Sequence, residues 1–339
     1  MVERVAWTMQ APAGATFELA IAIPTFNRSA QLASLLAQLA EESADLAGRV
    51  IITVSNNAST DSTATVLDAY AKAHPEVAFE AYQQERNIGA VPNIEFLVRH
   101  APAEWVWCMG DDDLLFDGGV HRVFDALGSV KEQLLLVRTA GIPEWNGVPH
   151  EGGVRVVRTR SAEGAQCLMA ATFLASVVLR AEAWRGVLGR AGAFGVPNYG
   201  NWVAALLTAI GDESVALLDD DTVRGNANMH GDVRFEKYGV LILQRLTVWR
   251  RLRDGDGAER AAASWLRPLI AELFRRAWRS VASGSDRSLP QRREKLSGFV
   301  AGVRLLGWPA LRALPWLVVA LVMPEVLRTG VMRARARVR

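Results

Sequence analysis

Apolar positions over the first 140 residues fall into short runs separated by helical stripes. Phe17 to Ile23 is an apolar run of strand length, and Pro24 is expected to end it. Ser29 is placed to cap a helix whose Leu32, Leu35, Leu36 and Leu39 share one face. Val50 to Val54 is a β-branched run leading into Ser55-Asn56-Asn57-Ala58-Ser59-Thr60-Asp61, a cluster of turn and capping residues. A helix through Val66, Leu67 and Tyr70 ends before Pro75. Val77 to Tyr82 reads as a strand, Val91 to His100 as a helix and Trp105 to Met109 as a further strand. Gly118 to Leu127 reads as a helix and Gln133 to Val137 as a fifth strand.

Alternating strands and helices with short links predict an α/β fold: a mostly parallel central sheet flanked by helices. Ligands of such sheets lie beyond the carboxyl ends of the strands. Three polar clusters fall there: Pro24 to Arg28, Asn56 to Asp61 and Asp111 to Asp113.

Beyond residue 140 the pattern loosens. Thr139 to Arg160 is rich in Gly and Pro and reads as loop or short hairpin. Ala162 to Ala171 and Ala181 to Leu188 are predicted helices around a Leu174 to Leu179 strand. Trp202 to Ile210 is an apolar helix closed by Gly211, and Ser214 to Leu218 a short strand. From about 236 the chain is helical and basic. The expected organisation is an N-terminal extension (1–16), a catalytic domain (17–235, with a first half 17–138 and a second half 139–235) and a helical basic appendage (236–339).

Charge sharpens that division. The net charge of +2 is the balance of −11 over residues 1–240 and +13 over 241–339. Trp and Leu on one side of a helix with Arg on the other suit peripheral contact with an anionic membrane face. Nucleic acid is not expected, because no aromatic and basic interleaving accompanies the arginines. The apolar stretch Ala313 to Pro324 is too short to span a bilayer. No signal peptide is read at the N-terminus, and Cys108 and Cys167 read as buried thiols, so the expected location is cytoplasmic.

Gly110-Asp111-Asp112-Asp113 carries the strongest chemistry. Three adjacent carboxylates repel one another and need a positive partner. A hard divalent cation, Mn2+ or Mg2+, is the expected one, with room left for phosphate oxygens.

With these pieces in order, the stretch from Leu19 to about Val137 resembles the nucleotide-binding half of family 2 inverting glycosyltransferases of the GT-A fold. The resemblance rests on Ile21 to Arg28, Val54 to Thr63, Arg86-Asn87-Ile88-Gly89 with Asn93, and Trp105 to Leu115. It is nearest to members that build bacterial surface polysaccharides, abequosyltransferases among them. It implies transfer from a nucleotide-diphosphate sugar to a glycan or lipid-linked acceptor. By the same resemblance, Pro24, Thr25, Phe26, Asn27, Arg28, Asn56, Asn87, Gly89, Asn93 and Asp111 would meet the nucleotide. Asn56 stands where the family usually has Asp, Arg224 would meet the diphosphate, and Asp112, Asp113 and His230 would hold the metal.

The acidic pair that the family commonly carries before the Trp202 helix is absent, since Pro197 to Asn201 holds no carboxylate. Asp212 and Asp232 are weak candidates for the general base. Asp219, Asp220 and Asp221 read as surface charges. Trp145 reads as an open loop residue, and Trp184 and Trp202 as core. Two other readings are a nucleotidyltransferase acting on sugar phosphates and a non-catalytic sugar-nucleotide-binding relative. The first lacks a Gly-rich phosphate loop after the first strand.

Overall fold

The computed structural model describes residues 2–7, 16–141, 145, 148–170, 173–193, 211 and 213–225, with scattered positions between 252 and 263. The chain divides into two compact units, Met1–Asn226 and Ala227–Arg339. The predicted helix at Trp202, most of the basic helical region, and Asp212, His230 and Asp232 lie outside the described residues.

The first unit is built on one sheet. Its strands are β1 (Val2–Trp7), β2 (Phe17–Thr25), β3 (Val50–Asn56), β4 (Phe79–Gln84), β5 (Ala103–Cys108), β6 (Leu114–Leu115), β7 (Leu134–Ala140), β8 (Val154–Arg158), β9 (Val177–Arg180) and β10 (Ser214–Arg224). The order is β1-β4-β3-β2-β5-β9-β7-β10-β6, with β8 also paired to β10. Strands β2 to β5 are mutually parallel. Strand β9 then runs against both β5 and β7, and β10 is parallel to β7.

The expected α/β fold is present: β2, β3, β4, β5, β7 and β10 run one way, and β1, β6, β8 and β9 run against them, so the sheet is mixed around a parallel majority. Because β9 reverses direction between β5 and β7, the carboxyl ends of β2, β3, β5, β7 and β10 all reach the same edge. The N-terminal residues set apart as an extension contribute β1, which covers the outer edge of β4. An uncovered edge would expose unpaired backbone groups.

All seven residues of β3 are buried, as its continuous apolar run requires for a strand covered on both faces. Helices α1 (Ser29–Ser43), α2 (Thr63–Ala73) and α4 (Gly119–Leu127) pack along one side; α3 (Ala90–His100) packs against α6 (Ala181–Ala193), and α5 (Ala162–Ala170) lies against β8. Leu32, Leu35, Leu36 and Leu39 are the buried stripe of α1, as their spacing predicts. Ser29 is the first residue of α1 and does not cap it with its side chain. Its backbone N–H instead donates to Asp61 Oδ2 at 3.0 Å, so the loop after β3 caps the helix after β2.

Pro24 does not end β2, which continues to Thr25. The Met109 N–H donates to the Ala22 carbonyl on the β5 side, and the Asn57 N–H to the Thr25 carbonyl on the β3 side. Alternation then points the Pro24 nitrogen toward β5, beyond the last β2–β5 pair, Ala22 with Cys108, where no ladder bond is lost.

A charged cluster closes the far half of the sheet. Strand β10 loses register between Leu218 and Val223, and Asp219 turns inward there. Asp219 is fully buried and ion-paired to Arg138 of β7 and Arg155 of β8. The Glu151 N–H donates to its second oxygen at 2.7 Å. Burial opposes its charge, yet the Glu151 N–H and Arg138 hold its carboxyl below the usual range. Trp145, expected to be open, is 3% exposed and lies against the Arg138 guanidinium, 5.1 Å from it. Replacing Asp219 by Asn keeps the shape and removes the counter-charge from buried Arg138. Urea denaturation of Asp219→Asn is expected to show a loss of about 3–5 kcal/mol; a loss below about 1 kcal/mol would deny the cluster its structural role.

Candidate functional site

The chain leaves β2 toward β3 and β4, then returns on the other side of β2 to form β5. The carboxyl ends of β2 and β5 thus flank a switch point, where connections diverge and leave a crevice. A cavity of about 500 Å³ opens there, a size that admits a nucleotide-scale ligand.

Its floor is the acidic turn after β5. Thr25 Oγ1 donates to Asp111 Oδ2 at 2.7 Å, across the β2–β5 seam. Arg28 Nη1 lies 3.0 Å from Asp111 Oδ1 and 3.0 Å from Asp112 Oδ2. One guanidinium therefore supplies the positive partner that the triplet needs. Burial raises the Asp111 pKa, Thr25 and Arg28 oppose that rise, and Asp112 adds to it.

Asp113 behaves differently from its neighbours. It is buried and does not line the cavity. Its Oδ2 accepts the Gly110 N–H at 2.8 Å and closes the turn. Burial pushes its carboxyl up to about 8; the Gly110 N–H works against this and the two neighbouring aspartates reinforce it. Asp113 thus serves the turn through Oδ2 and, unlike Asp111 and Asp112, has no place in the cavity lining. A Cβ at 110 would meet Asp113 Oδ2 at 2.9 Å and Asp112 Oδ1 at 3.2 Å, so a side chain there would displace the carboxylates of the turn.

The residues fit a divalent cation in a limited sense. Asp111 and Asp112 both face the cavity, and Arg28 stands where a cation would bridge them. Two negative charges against one guanidinium leave one uncompensated. No cluster of three or more His, Cys, Asp or Glu suited to a metal exists among the described residues. A cation here would use two carboxylates and take its remaining ligands from a bound phosphate or water.

The loop after β3 forms one wall, but through Asn57 rather than Asn56. Asn56 is fully buried, its amide donating to Gln83 Oε1 at 2.8 Å and its carbonyl accepting the Ser59 N–H at 3.0 Å. Asn57 lines the cavity; its amide donates to Asn87 Oδ1 and its carbonyl accepts the Ile88 N–H. Asn27 does not line the cavity either. It adopts φ 53° and fastens the first loop to the second, its carbonyl accepting the Thr60 N–H at 2.7 Å. Ala58, at φ 60°, carries the strain of the same junction.

Gly89 starts α3 at φ +92°, a conformation that disfavours a side chain. A Cβ there would meet nothing closer than 3.7 Å, so backbone conformation rather than crowding calls for glycine. Asn93 is buried at the cavity edge, with both amide atoms bonded to Ser55. Phe26 is exposed at the mouth and offers a flat apolar face.

Of the residues expected to meet the nucleotide, Pro24, Thr25, Phe26, Arg28, Asn87, Gly89, Asn93 and Asp111 line the cavity, as does Asp112. Arg224 does not. It lies at the end of β10, its guanidinium 4.7 Å from the Phe116 ring, beside a separate cavity. Leu174, just before β9, also lines the first cavity and carries no sequence signal for it.

Comparison with known proteins adds to this geometry. Residues 20–162 match the family described as glycosyl transferase family 2. No curated protein matches the sequence. Among solved structures, S. aureus TarS residues 1–349 in complex with UDP-GlcNAc has a TM-score of 0.61 at 14% identity, covering 95% of this chain and 92% of that one. The mannosyltransferase PcManGT from Pyrobaculum calidifontis, in complex with GDP-Man and Mn2+, has a TM-score of 0.52 at 17% identity, covering 96% and 89%. Likeness at this identity shows the fold alone. The chain has a mixed α/β fold similar to that of the GT-A glycosyltransferases, and its segment 20–162 carries a match to glycosyl transferase family 2.

Proposed function

We propose that the chain transfers a sugar from a nucleotide-diphosphate sugar to a glycan or lipid-linked acceptor by inverting displacement, with a divalent cation. The observation that carries this reading is the pairing of Asp111 and Asp112 on one guanidinium at the switch point, facing a cavity of nucleotide size. A cation such as Mn2+ or Mg2+, when bound, would neutralise charge on the departing diphosphate. Asp112 and Asp111 would hold it. Thr25 fixes the rotamer of Asp111, and Arg28, paired with Asp111 and Asp112 at the cavity, would meet an incoming phosphate oxygen as well. Phe26 would cover the base, and the Asn57–Asn87 pair would set the wall beside it.

The acceptor hydroxyl must lose a proton as it attacks. The candidates Asp212 and Asp232 lie outside the described residues, and Asp219 is excluded by its burial between two arginines. The basic C-terminal region, net +13 over residues 241–339, would hold the protein against an anionic membrane face on the cytoplasmic side, near a lipid-linked acceptor. Among the described residues no helix is long and apolar enough to cross a membrane.

A thermal-shift screen of UDP-, GDP-, CDP- and dTDP-sugars is expected to give a shift with one donor that grows with manganese; no shift with any of them would sink the reading. Asp112→Asn is expected to lower release of nucleoside diphosphate about 100-fold or more while the melting temperature holds; unchanged turnover would remove Asp112 from the reaction. Asn57 and Asn56 should separate in calorimetry. Asn57→Ala is expected to weaken nucleotide binding about 3- to 10-fold, and Asn56→Ala to cost about 1–3 kcal/mol of stability instead, by stranding Gln83 and the Ser59 N–H.

A further inference from the structure

The triplet Asp219-Asp220-Asp221 occupies the irregular part of β10, and its members have different partners. Asp219 is paired to Arg138 and Arg155, and Asp220 accepts the Gly153 N–H at 3.0 Å. Asp221 has no hydrogen-bond or ion-pair partner among the described residues, and it is exposed. It lines two cavities at once. One, of about 540 Å³, is bordered by Gln38, Phe116, Asp117, Arg122 and Arg224. The other, of about 350 Å³, is bordered by Arg138, Thr139, Trp145 and His150.

Both cavities lie at the sheet edge that also carries the Asp111–Asp112 turn. Leu114, two residues beyond Asp112, pairs with Arg224 across β6 and β10. The first cavity therefore begins roughly 5–10 Å from the acidic turn, about the length of one or two sugar rings. Its charges balance, with two arginines and two aspartates. Such a lining sets planar acceptors beside planar donors, which suits vicinal hydroxyls that both give and take hydrogen bonds. It does not suit a strongly anionic ligand. The fork of Arg224 is held by its stacking on Phe116, and Arg122 Nη1 is anchored to the Asp117 carbonyl at 2.8 Å. The polar groups are thus pre-set rather than floppy.

We propose that this cavity binds a neutral saccharide of the acceptor, with Asp221 accepting hydrogen bonds from its hydroxyls and Arg224 donating to them. The glycan would continue past Asp221 toward His150 and Trp145. The proposal rests on the glycosyl-transfer reading above and names the acceptor side of that reaction.

The test is saturation-transfer NMR on the full chain with an equimolar mixture of the methyl glycosides of glucose, galactose, mannose, rhamnose and N-acetylglucosamine. Ring-proton signals are expected from at least one of them. Asp221→Ala, an exposed change, should weaken the apparent affinity about tenfold or more. Asp221→Asn should retain part of it, and Arg224→Ala should weaken it as well. The thermal shift with nucleotide sugar should persist in all three variants. A wild-type protein that binds nucleotide sugar but gives no saccharide signal would overturn the proposal, as would a signal that Asp221→Ala leaves intact. Saturable binding of inorganic phosphate that Arg224→Ala abolishes would overturn it in favour of an anion site. Absence of the nucleotide shift in the wild type would instead count against the donor reading, and the saccharide signal would still report on Asp221 alone.

Discussion

Three adjacent carboxylates at the end of a buried strand are a standing electrostatic problem, and the site is organised around its solution. Two carboxylates about 4 Å apart repel by roughly 4 kcal/mol at an effective dielectric of 20. The chain relieves this in two ways. Asp113 is buried, which pushes its carboxyl pKa up, and its Oδ2 is turned onto the Gly110 N–H, away from the cavity. Asp111 and Asp112 keep facing the cavity and share Arg28. That arrangement fixes Arg28, and through it the loop after β2. It also leaves a net negative charge where a cation and a diphosphate can meet.

The loops that frame the cavity are fastened to one another more than to the core. Asp61 caps α1 from the following loop and also accepts from Thr63 at the start of α2. Asn27 reaches Thr60, and Asn57 reaches Asn87 and Ile88. Strand ends β2, β3 and β4 are therefore joined laterally by side-chain amides and carboxylates. Positive φ at Asn27 and Ala58 is tolerated because these bonds over-determine the local backbone. Pre-set walls lower the ordering cost of binding, which is how a rather open cavity can still select a ligand.

Much of this was legible from periodicity. Strands β2, β3, β5 and β7 and helices α1, α3 and α4 carry unambiguous apolar patterns, and seven cavity residues sit in the polar clusters at strand ends: Pro24, Thr25, Phe26, Arg28, Asn57, Asp111 and Asp112. The failures have physical causes. Asn56 and Asn57 are chemically identical neighbours, and only the register of β3 against β4, which pairs Asn56 with Gln83, decides which one faces the cavity. Strand β6 has two residues, too few for any period to register. Leu174 reaches the cavity only because β9 enters the sheet against its neighbours, a choice made by long-range pairing. Trp145 looked open because glycine and proline surround it in sequence, whereas a buried cation beneath its ring drew it in.

The chain writes Asp-Asp-Asp twice, at 111–113 and 219–221, and the two copies show what a local string can and cannot specify. In each, one member is buried and structural: Asp113 against the Gly110 N–H, Asp219 between Arg138 and Arg155. Their electrostatic states are opposite. Asp113 meets a single amide and two like charges, so its proton is favoured; Asp219 meets two guanidinium groups and an amide, so its charge is favoured. Among the remaining members, those that line cavities are Asp111 and Asp112 in the first copy and Asp221 in the second. At the first copy the carboxylate oxygens are gathered on one cation, Arg28. At the second, Asp220 is taken by the Gly153 N–H and Asp221 is left facing two cavities. Placement of arginine, a residue far away in sequence in both cases, separates a site that concentrates charge from one that balances it.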